Sequence, residues 1–298
     1  MKKVRLIYAA LALTCLFACR QDKNDFDASG TFEAVETIIS AEVNGKILSF
    51  EAKEGDVLKA GQVIGYIDST QLHLQRLQLE QNKKAILSGR PNTQIQTKAL
   101  KEQLATAKTD RDRMANLVQG GVANPKQLDD ANARITTLEA QISAQESSLY
   151  TTNTSIEEQA NLVEVQLQEV LDRLEKSKIT NPVNGTVLTT FVEPFEMTAA
   201  GRPLYKIADL STLTLRAYIT GDQLPQVKLN QNVKVYTDKG DGGFNETEGS
   251  VTWINDKAEF TPKSILTKNE RANLVYAIKV RVVNDGSYKI GMYGEIKF

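Results

Sequence analysis

The chain has 298 residues, of which 41% are hydrophobic and 24% are charged, and its formal net charge is −1. This composition is that of a folded protein with two or three compact modules, and it excludes a chain that is disordered throughout. The balance of 36 basic and 37 acidic side chains leaves no surplus of positive charge, so nucleic acid is not an expected partner.

Residues 1–18 have the pattern of a signal peptide. Three basic residues precede an apolar run at residues 6–18, which is shorter than the roughly 20 residues needed to cross a bilayer. The run ends in the sequence LFAC, which resembles a bacterial lipobox, and this resemblance implies that Cys19 receives lipid and becomes the mature amino terminus. The alternative is an uncleaved anchor in which Cys15 and Cys19 are small apolar residues. Both interpretations predict a protein attached to a membrane.

No cysteine follows Cys19, so the rest of the chain has neither a disulfide framework nor a cysteine-based metal site. Charged residues dominate the stretch directly after Cys19, which suits a solvated tether at residues 19–28.

Two segments match at a constant offset of 140 residues. The sequence VNGKIL at residues 43–48 corresponds to VNGTVL at residues 183–188, and each copy carries two glycines sixteen residues apart. These turn glycines are Gly45 and Gly61 in the first copy and Gly185 and Gly201 in the second. A repeated unit that cannot bury its own apolar face is expected to pack against its twin, here as a small β-sandwich.

The repeat resembles a biotinyl/lipoyl domain, whose halves are related by a pseudo-twofold axis. In that family a lysine at the turn between the halves carries the cofactor. Asp68, Ser69 and Thr70 follow the first copy and include no lysine, so we expect no cofactor and no cofactor-carrying transferase domain.

Residues 69–178 separate the two copies, and their apolar positions follow a heptad pattern. The seam comprises Leu72, Leu79, Ile86, Leu100, Leu104, Ala107, Arg111, Met114 and Val118 on the first arm, and Leu128, Ala131, Ile135, Leu138, Ile142, Gln145, Leu149, Thr152, Ile156, Ala160, Val163, Leu167, Val170 and Leu174 on the second. Gly120, Gly121 and Pro125 stop the helix at a tip near residues 119–126, where Asn124 can cap the second arm. The pattern predicts an antiparallel hairpin about 70 Å long.

Residues 88–91 (SGRP) interrupt the first arm, and the polar run at residues 150–155 lies near the mirrored place on the second. We therefore predict a kink or break midway along the hairpin. The alternative is an ordinary helical bundle. The split repeat argues against it, because an insertion that leaves both halves in register must begin and end at neighbouring points.

From residue 210 onward, apolar and polar residues alternate as in strands, and with residues 29–39 these strands suit a small β-barrel. The predicted fold class is therefore mostly β with a long α-helical hairpin: a lipoyl-like β-sandwich split by an antiparallel coiled coil, followed by a small β-barrel. The predicted divisions are 1–18 (signal peptide), 19–28 (tether), 29–39 (strand joining the barrel), 40–68 (first lipoyl-like half), 69–178 (hairpin), 179–209 (second half) and 210–298 (barrel).

The order of lipobox, split lipoyl-like repeat and helical hairpin resembles the HlyD-like membrane fusion proteins, which are periplasmic adaptors. Adaptors that dock on outer-membrane ducts commonly carry Arg, three residues, Leu, six residues and Ser at the hairpin turn. Arg113 and Leu117 match this motif, with Asn124 in the serine position. The resemblance implies a non-enzymatic protein that forms a ring and links an inner-membrane exporter to an outer-membrane channel.

A segment of the barrel resembles adaptors that are partnered with ABC exporters. Its residues are Ala258, Glu259, Phe260, Thr261, Pro262, Lys263, Glu270, Arg271, Asn273, Leu274 and Tyr276. The chain also ends soon after the barrel, whereas adaptors of proton-driven pumps usually have a further membrane-proximal domain. The resemblance therefore implies an ABC-type partner and lipid anchoring on the periplasmic side of the inner membrane. The alternatives are an adaptor of a proton-driven pump and a lipid-anchored coiled-coil scaffold without a transport role.

No pattern in the sequence predicts catalysis or a metal site. His73 is the only histidine, and a metal or catalytic site needs several convergent groups. The glycine-rich stretch at residues 239–243 is not followed by a predicted helix, so it lacks the amide donors of a phosphate-binding loop.

Overall fold

The computed structural model describes residues 26–240, 243–260 and 274–298. Cys19 and the rest of the leader therefore lie outside the described residues. The strands are β1 (Ala28–Glu33), β2 (Glu36–Ser40), β3 (Gly45–Phe50), β4 (Val57–Leu58), β5 (Val63–Ile67), β6 (Lys178–Thr180), β7 (Gly185–Thr190), β8 (Met197–Thr198), β9 (Pro203–Ala208), β10 (Thr212–Thr220), β11 (Asn232–Asp238), β12 (Phe244–Ile254), β13 (Glu259–Phe260), β14 (Leu274–Val283) and β15 (Tyr293–Lys297). The helices are α1 (Thr70–Ser88), α2 (Thr93–Gln119) and α3 (Pro125–Lys176).

The two copies of the repeat form a β-sandwich. Its four-stranded sheets have the orders β2-β9-β7-β4 and β6-β5-β3-β8. The offset of 140 residues relates β3 to β7 and β4 to β8, and it also relates the starts of β5 and β9. The short strands β4 and β8 each pair with the opposite half, so each copy completes the sheet of its twin. The core between the sheets includes Ile47, Ile64, Val187, Leu204 and Ile207.

Hydrogen bonds repeat across the pseudo-twofold relation. The Ala60 amide donates to Asn184 Oδ1 at 2.9 Å, and the Ala200 amide donates to Asn44 Oδ1 at 2.8 Å. Each asparagine therefore holds a turn of the other half, which explains why Val-Asn-Gly occurs in both copies.

The four repeated glycines serve two different purposes. Gly61 and Gly201 have φ angles of 82° and 86°, a left-handed conformation that residues with a Cβ rarely adopt. Gly45 and Gly185 instead lie against neighbouring residues: an added Cβ would be 2.7 Å from a side-chain carbon of Ile67 and 2.6 Å from the Ala208 carbonyl oxygen, respectively.

The inserted hairpin packs α1 and α2 against α3. The first arm is broken between Ser88 and Thr93, where Asn92 Oδ1 accepts the Ile95 amide and caps α2. The second arm is continuous over 52 residues, or about 78 Å at 1.5 Å per residue. Our prediction of a midway break is therefore right for the first arm only. The polar run at residues 150–155 contains neither Gly nor Pro, and Thr151 and Thr152 hydrogen-bond to carbonyls one turn earlier in the same helix.

The heptad seam lies between the arms. The buried apolar residues of α3 are Ile135, Leu138, Ile142, Leu149, Ala160, Val163, Leu167 and Val170, all of them predicted seam positions. Ion pairs flank the seam at intervals, among them Lys83 with Glu164 at 2.8 Å and Lys108 with Glu139 at 2.8 Å. These pairs are solvated and add little stability. They bring opposite charges together only in the observed alignment of the two arms.

The third unit is a closed β-barrel. Its strands follow the order β10-β1-β15-β11-β12-β14, and β14 pairs with β10 to close the sheet, while β13 adds to the edge of β14. Phe32, Leu213, Leu215, Ile278 and Val280 are completely buried inside it. The predicted fold class, a split sandwich with a helical hairpin and a small barrel, is confirmed.

One buried polar pair breaks the symmetry of the sandwich. The Tyr205 hydroxyl donates to Asn181 Oδ1 at 3.0 Å, while Asn181 Nδ2 donates to the carbonyls of Lys59 and Val183. Both side chains are fully buried. Burial raises the pKa of Tyr205 to about 12, because ionisation would place a charge in the core.

We expect Tyr205→Phe to lower the free energy of unfolding by about 1 to 3 kcal/mol, because Asn181 Oδ1 would remain buried without a donor. Urea unfolding at pH 7 measures this loss. Tyr150→Phe, at a position that is 73% exposed, is the matched control and should change little.

The same substitution predicts a difference in pH dependence. The pKa of folded Tyr205 lies above the unfolded value, so its contribution is complete below about pH 10 and is lost as the pH rises towards 12. The unfolding free energy of the wild type should therefore fall more steeply between pH 10 and 12 than that of Tyr205→Phe. Parallel curves would contradict this origin of the shift.

Candidate docking site at the hairpin tip

The turn at the end of the hairpin is built from helix-capping hydrogen bonds. After α2 ends at Gln119, Gly121 adopts a φ of 73°, and an added Cβ there would have open space but a strained backbone. The Leu117 carbonyl then accepts the amides of Val122 at 3.0 Å and Ala123 at 3.3 Å. These bonds satisfy donors and acceptors that the end of a helix would otherwise leave free.

Asn124 caps the following helix, as predicted. Its Oδ1 accepts the Lys126 amide at 3.0 Å, and Gln127 Oε1 accepts the Asn124 amide at 3.2 Å, forming a reciprocal capping box with Pro125 at the first helical position. The Asn124 side chain is therefore already engaged within its own turn.

Arg113 and Leu117 lie one helical turn apart near the end of α2, on the same face. The Arg113 side chain is 71% exposed, and its only partner among the described residues is Asp110, with Nη1 and Oδ1 3.4 Å apart. Such an exposed pair costs little to separate. Leu117 remains 39% exposed at the end of the seam. The tip thus offers guanidinium donors beside an apolar surface.

Val122 was missed by the sequence analysis. It is 79% exposed at the apex of the turn and adds a second apolar side chain there. The available signal was its position between Gly121 and Asn124, outside both heptad seams.

The predicted barrel segment is described only in part. Glu259 accepts hydrogen bonds from Arg216 Nη2 at 3.1 Å and from Asn255 Nδ2 at 2.6 Å, which fixes the short strand β13 (Glu259–Phe260). Ala258 directly precedes this strand. Leu274 and Tyr276 lie on β14, where Leu274 is 47% exposed. Thr261, Pro262, Lys263, Glu270, Arg271 and Asn273 lie outside the described residues.

Across the described ranges, no group of three or more His, Cys, Asp or Glu side chains could hold a metal ion. His73 is an exposed residue of α1. Nor does any helix within residues 26–240, 243–260 and 274–298 have the length and apolar character needed to cross a membrane.

No protein-family model matches the chain. Among curated proteins, it is 26% identical to the UPF0194 membrane protein YbhG of Salmonella gallinarum, in an alignment that covers 96% of this chain and 92% of YbhG. The YbhG protein of Salmonella enteritidis PT4 gives the same identity and coverage.

Solved structures show the same architecture. MacA from Actinobacillus actinomycetemcomitans superposes with a TM-score of 0.53 at 22% identity, covering 90% of this chain and 76% of MacA. The membrane fusion protein Spr0693 from Streptococcus pneumoniae R6 gives a TM-score of 0.51 at 14% identity, covering 90% and 97% of the two chains. The chain is therefore similar to YbhG over almost its whole length and has the fold of MacA and of the membrane fusion protein Spr0693.

This fold determines the position of the tip. In this chain the hairpin projects from the sandwich, and the tip lies at its far end. The docking role of Arg113, Leu117 and Asn124 remains a prediction.

We expect Asn124→Ala to cost about 1 kcal/mol of hairpin stability, because the first turn of α3 would lose its cap. Thermal unfolding followed by the helical circular dichroism signal measures the loss. Asn124→Asp keeps a capping oxygen and should stay close to the wild type. An equal loss in both variants would mean that capping is not what Asn124 contributes.

Proposed function

We propose that this protein is a periplasmic adaptor of a transenvelope export system, linking an inner-membrane exporter of the ABC type to an outer-membrane duct. The observation that carries the proposal is a hairpin about 78 Å long whose exposed tip presents Arg113, Leu117 and Val122. The buried contacts of the hairpin hold its own arms together, so its length serves to place the tip far from the sandwich and barrel.

The tip is proposed to dock on the outer-membrane duct. Arg113 would exchange its exposed contact with Asp110 for hydrogen bonds to carbonyls or carboxylates of the duct. Leu117 and Val122 would exclude water around those bonds, as apolar side chains do in stable interfaces. Asn124 would chiefly fix the shape of the turn that carries them.

The barrel is proposed to face the inner-membrane exporter. Support for an ABC-type partner comes from the resemblance of the segment around Glu259 and Leu274 to that of adaptors of ABC exporters. The Arg216–Glu259–Asn255 cluster anchors the described end of this segment to the barrel.

Several copies are proposed to assemble around an axis, because one hairpin encloses nothing whereas hairpins packed side by side form a tube. The amino terminus is proposed to be held in the inner membrane, on its periplasmic side, by lipid on Cys19. The adaptor itself would not supply energy for transport. The partner pump would drive transport.

Arg113→Ala tests the docking role. Cells expressing tagged full-length protein are cross-linked, and co-purified outer-membrane channel proteins are quantified by mass spectrometry. We expect at least a tenfold loss of the channel, with unchanged thermal stability and unchanged recovery of the inner-membrane exporter. Arg173→Ala breaks a comparable exposed ion pair, with Glu169, at the end of α3 next to the sandwich and far from the tip, and should behave as the wild type.

Full recovery of the channel with Arg113→Ala at normal protein levels would leave only a structural role for the tip. The identity of the recovered exporter separates an ABC partner from a proton-driven pump. If neither exporter nor channel is recovered with the wild type, the scaffold alternative is favoured.

Cys19→Ala tests the anchor. We expect intact mass spectrometry to find diacylglycerol on wild-type Cys19, and the variant to accumulate as an unprocessed precursor or a protein released from the membrane fraction. Cys15→Ala should remain lipidated and membrane-bound. An unmodified Cys19 in the mature wild type would refute lipid anchoring and leave the fold unaffected.

A further inference from the structure

Phe195 holds a backbone conformation that its residue type disfavours. Its φ is 76°, a left-handed conformation that residues with a Cβ rarely adopt. The corresponding residue of the first repeat is Gly55, with a φ of 91°. The two positions make equivalent backbone bonds: Phe195 donates to the Ile47 carbonyl at 2.8 Å and Gly55 to the Val187 carbonyl at 2.9 Å. Glycine would therefore serve the fold at both places, and what Phe195 adds is its side chain.

That side chain contributes little to the core of its own chain. Phe195 is 69% exposed, and Met197 and Leu48, on the paired strands β8 and β3, are 65% and 48% exposed. The ammonium of Lys46 lies 5.2 Å from the centre of the Phe195 ring. We call these four residues the aromatic knob. A strained residue that exposes a large apolar group indicates a function outside the fold of the single chain.

The other half of the sandwich has a recess near the position equivalent to the knob. A cavity of about 220 Å³ opens there, and the residues that line it include Glu51, Asp56, Val57, Gln62 and Ile64. A cavity of roughly 150 Å³ already suffices for benzene. Val57, at the mouth, is 76% exposed, and neither Glu51 nor Asp56 forms an ion pair with any described residue. We call this cavity the acidic recess.

We propose that the aromatic knob of one copy inserts into the acidic recess of the next copy. This inference rests on the ring proposed above and names its contact surfaces. The Phe195 ring would fill the recess, while Lys46 would approach the carboxylates of Glu51 and Asp56, so shape and charge are both complementary. Because each copy carries one knob and one recess, the contact repeats head to tail, and such heterologous contacts form a ring when the rotation from copy to copy closes.

Phe195 stands at the position that is equivalent to Gly55 in the other half. This difference between the halves sets the direction of the contact. Two identical halves would present two identical surfaces, and neither would prefer the other. Because one half carries the Phe195 side chain and the equivalent position of the other half carries none, one face of the sandwich inserts the knob and a different face receives it.

Cysteine cross-linking tests the contact in the full-length, membrane-purified protein. The chain has no cysteine after Cys19, so Met197→Cys, which keeps the Phe195 ring in place, and Val57→Cys introduce new reactive sites. With a short bis-maleimide, the double variant should give a ladder of covalent oligomers, and each single variant should remain monomeric on a denaturing gel. Dimers from Met197→Cys alone would overturn the head-to-tail contact. So would a missing ladder in a preparation that native mass spectrometry shows to be oligomeric.

Phe195→Gly provides the second measurement. It relieves the backbone strain, so the thermal stability of the single chain should be equal or higher, whereas the concentration at which oligomers dissociate should rise at least tenfold. Phe191→Ala removes another half-exposed aromatic ring, directly after β7 in the same half of the sandwich, and should not affect assembly. Unchanged assembly in Phe195→Gly would refute the knob. A wild type found only as single copies would refute the ring itself, and with it this contact.

Discussion

The pairing of β5 with β6 is the constraint on which the architecture depends. These strands lead into α1 and out of α3, and they pair from Val63 with Thr180 to Tyr66 with Lys178. The Ile67 amide also bonds to the Ser177 carbonyl at 2.8 Å, directly beneath the helices. The chain therefore leaves and re-enters the sandwich at neighbouring points. An insertion of more than one hundred residues can fold back on itself there without disturbing the contact between the two repeats.

Above this base, the hairpin is held by a narrow apolar seam. Its buried residues lie on one stripe of α3, and most other side chains of the helix are solvated. Each turn of such a hairpin buries only a few apolar side chains and adds little stability. A break in both arms at the same level would therefore leave few contacts to keep the hairpin straight. The break is confined to residues 89–92, and α3 passes it without interruption. The continuous helix can therefore hold the tip at a fixed distance from the sandwich.

The sandwich combines symmetry with two useful departures from it. The exchanged strands and reciprocal asparagine bonds make each half dependent on the other. Tyr205 and Asn181 occupy the positions that are equivalent to Gly65 and Ala41 in the other half. They add a buried hydrogen-bonded pair to one half only. Phe195 replaces the equivalent of Gly55 and adds an exposed ring at a strained position. The first departure strengthens the core, and the second gives the surface a direction that a symmetric sandwich would lack.

The sequence alone determined the features that depend on local periodicity. The repeated glycines, the heptad seam, the Asn124 cap and the alternating strands each follow from residue spacing, because helices and strands impose periods of 3.6 and 2. Only the tertiary structure decided the exchange of β4 and β8, the closure of the barrel by β10 and β14, and the continuity of α3 beside the broken first arm. It alone also identified Val122 and Phe195 as exposed. Exposure and strand partners depend on residues far apart in the chain, and no local pattern of one segment contains them.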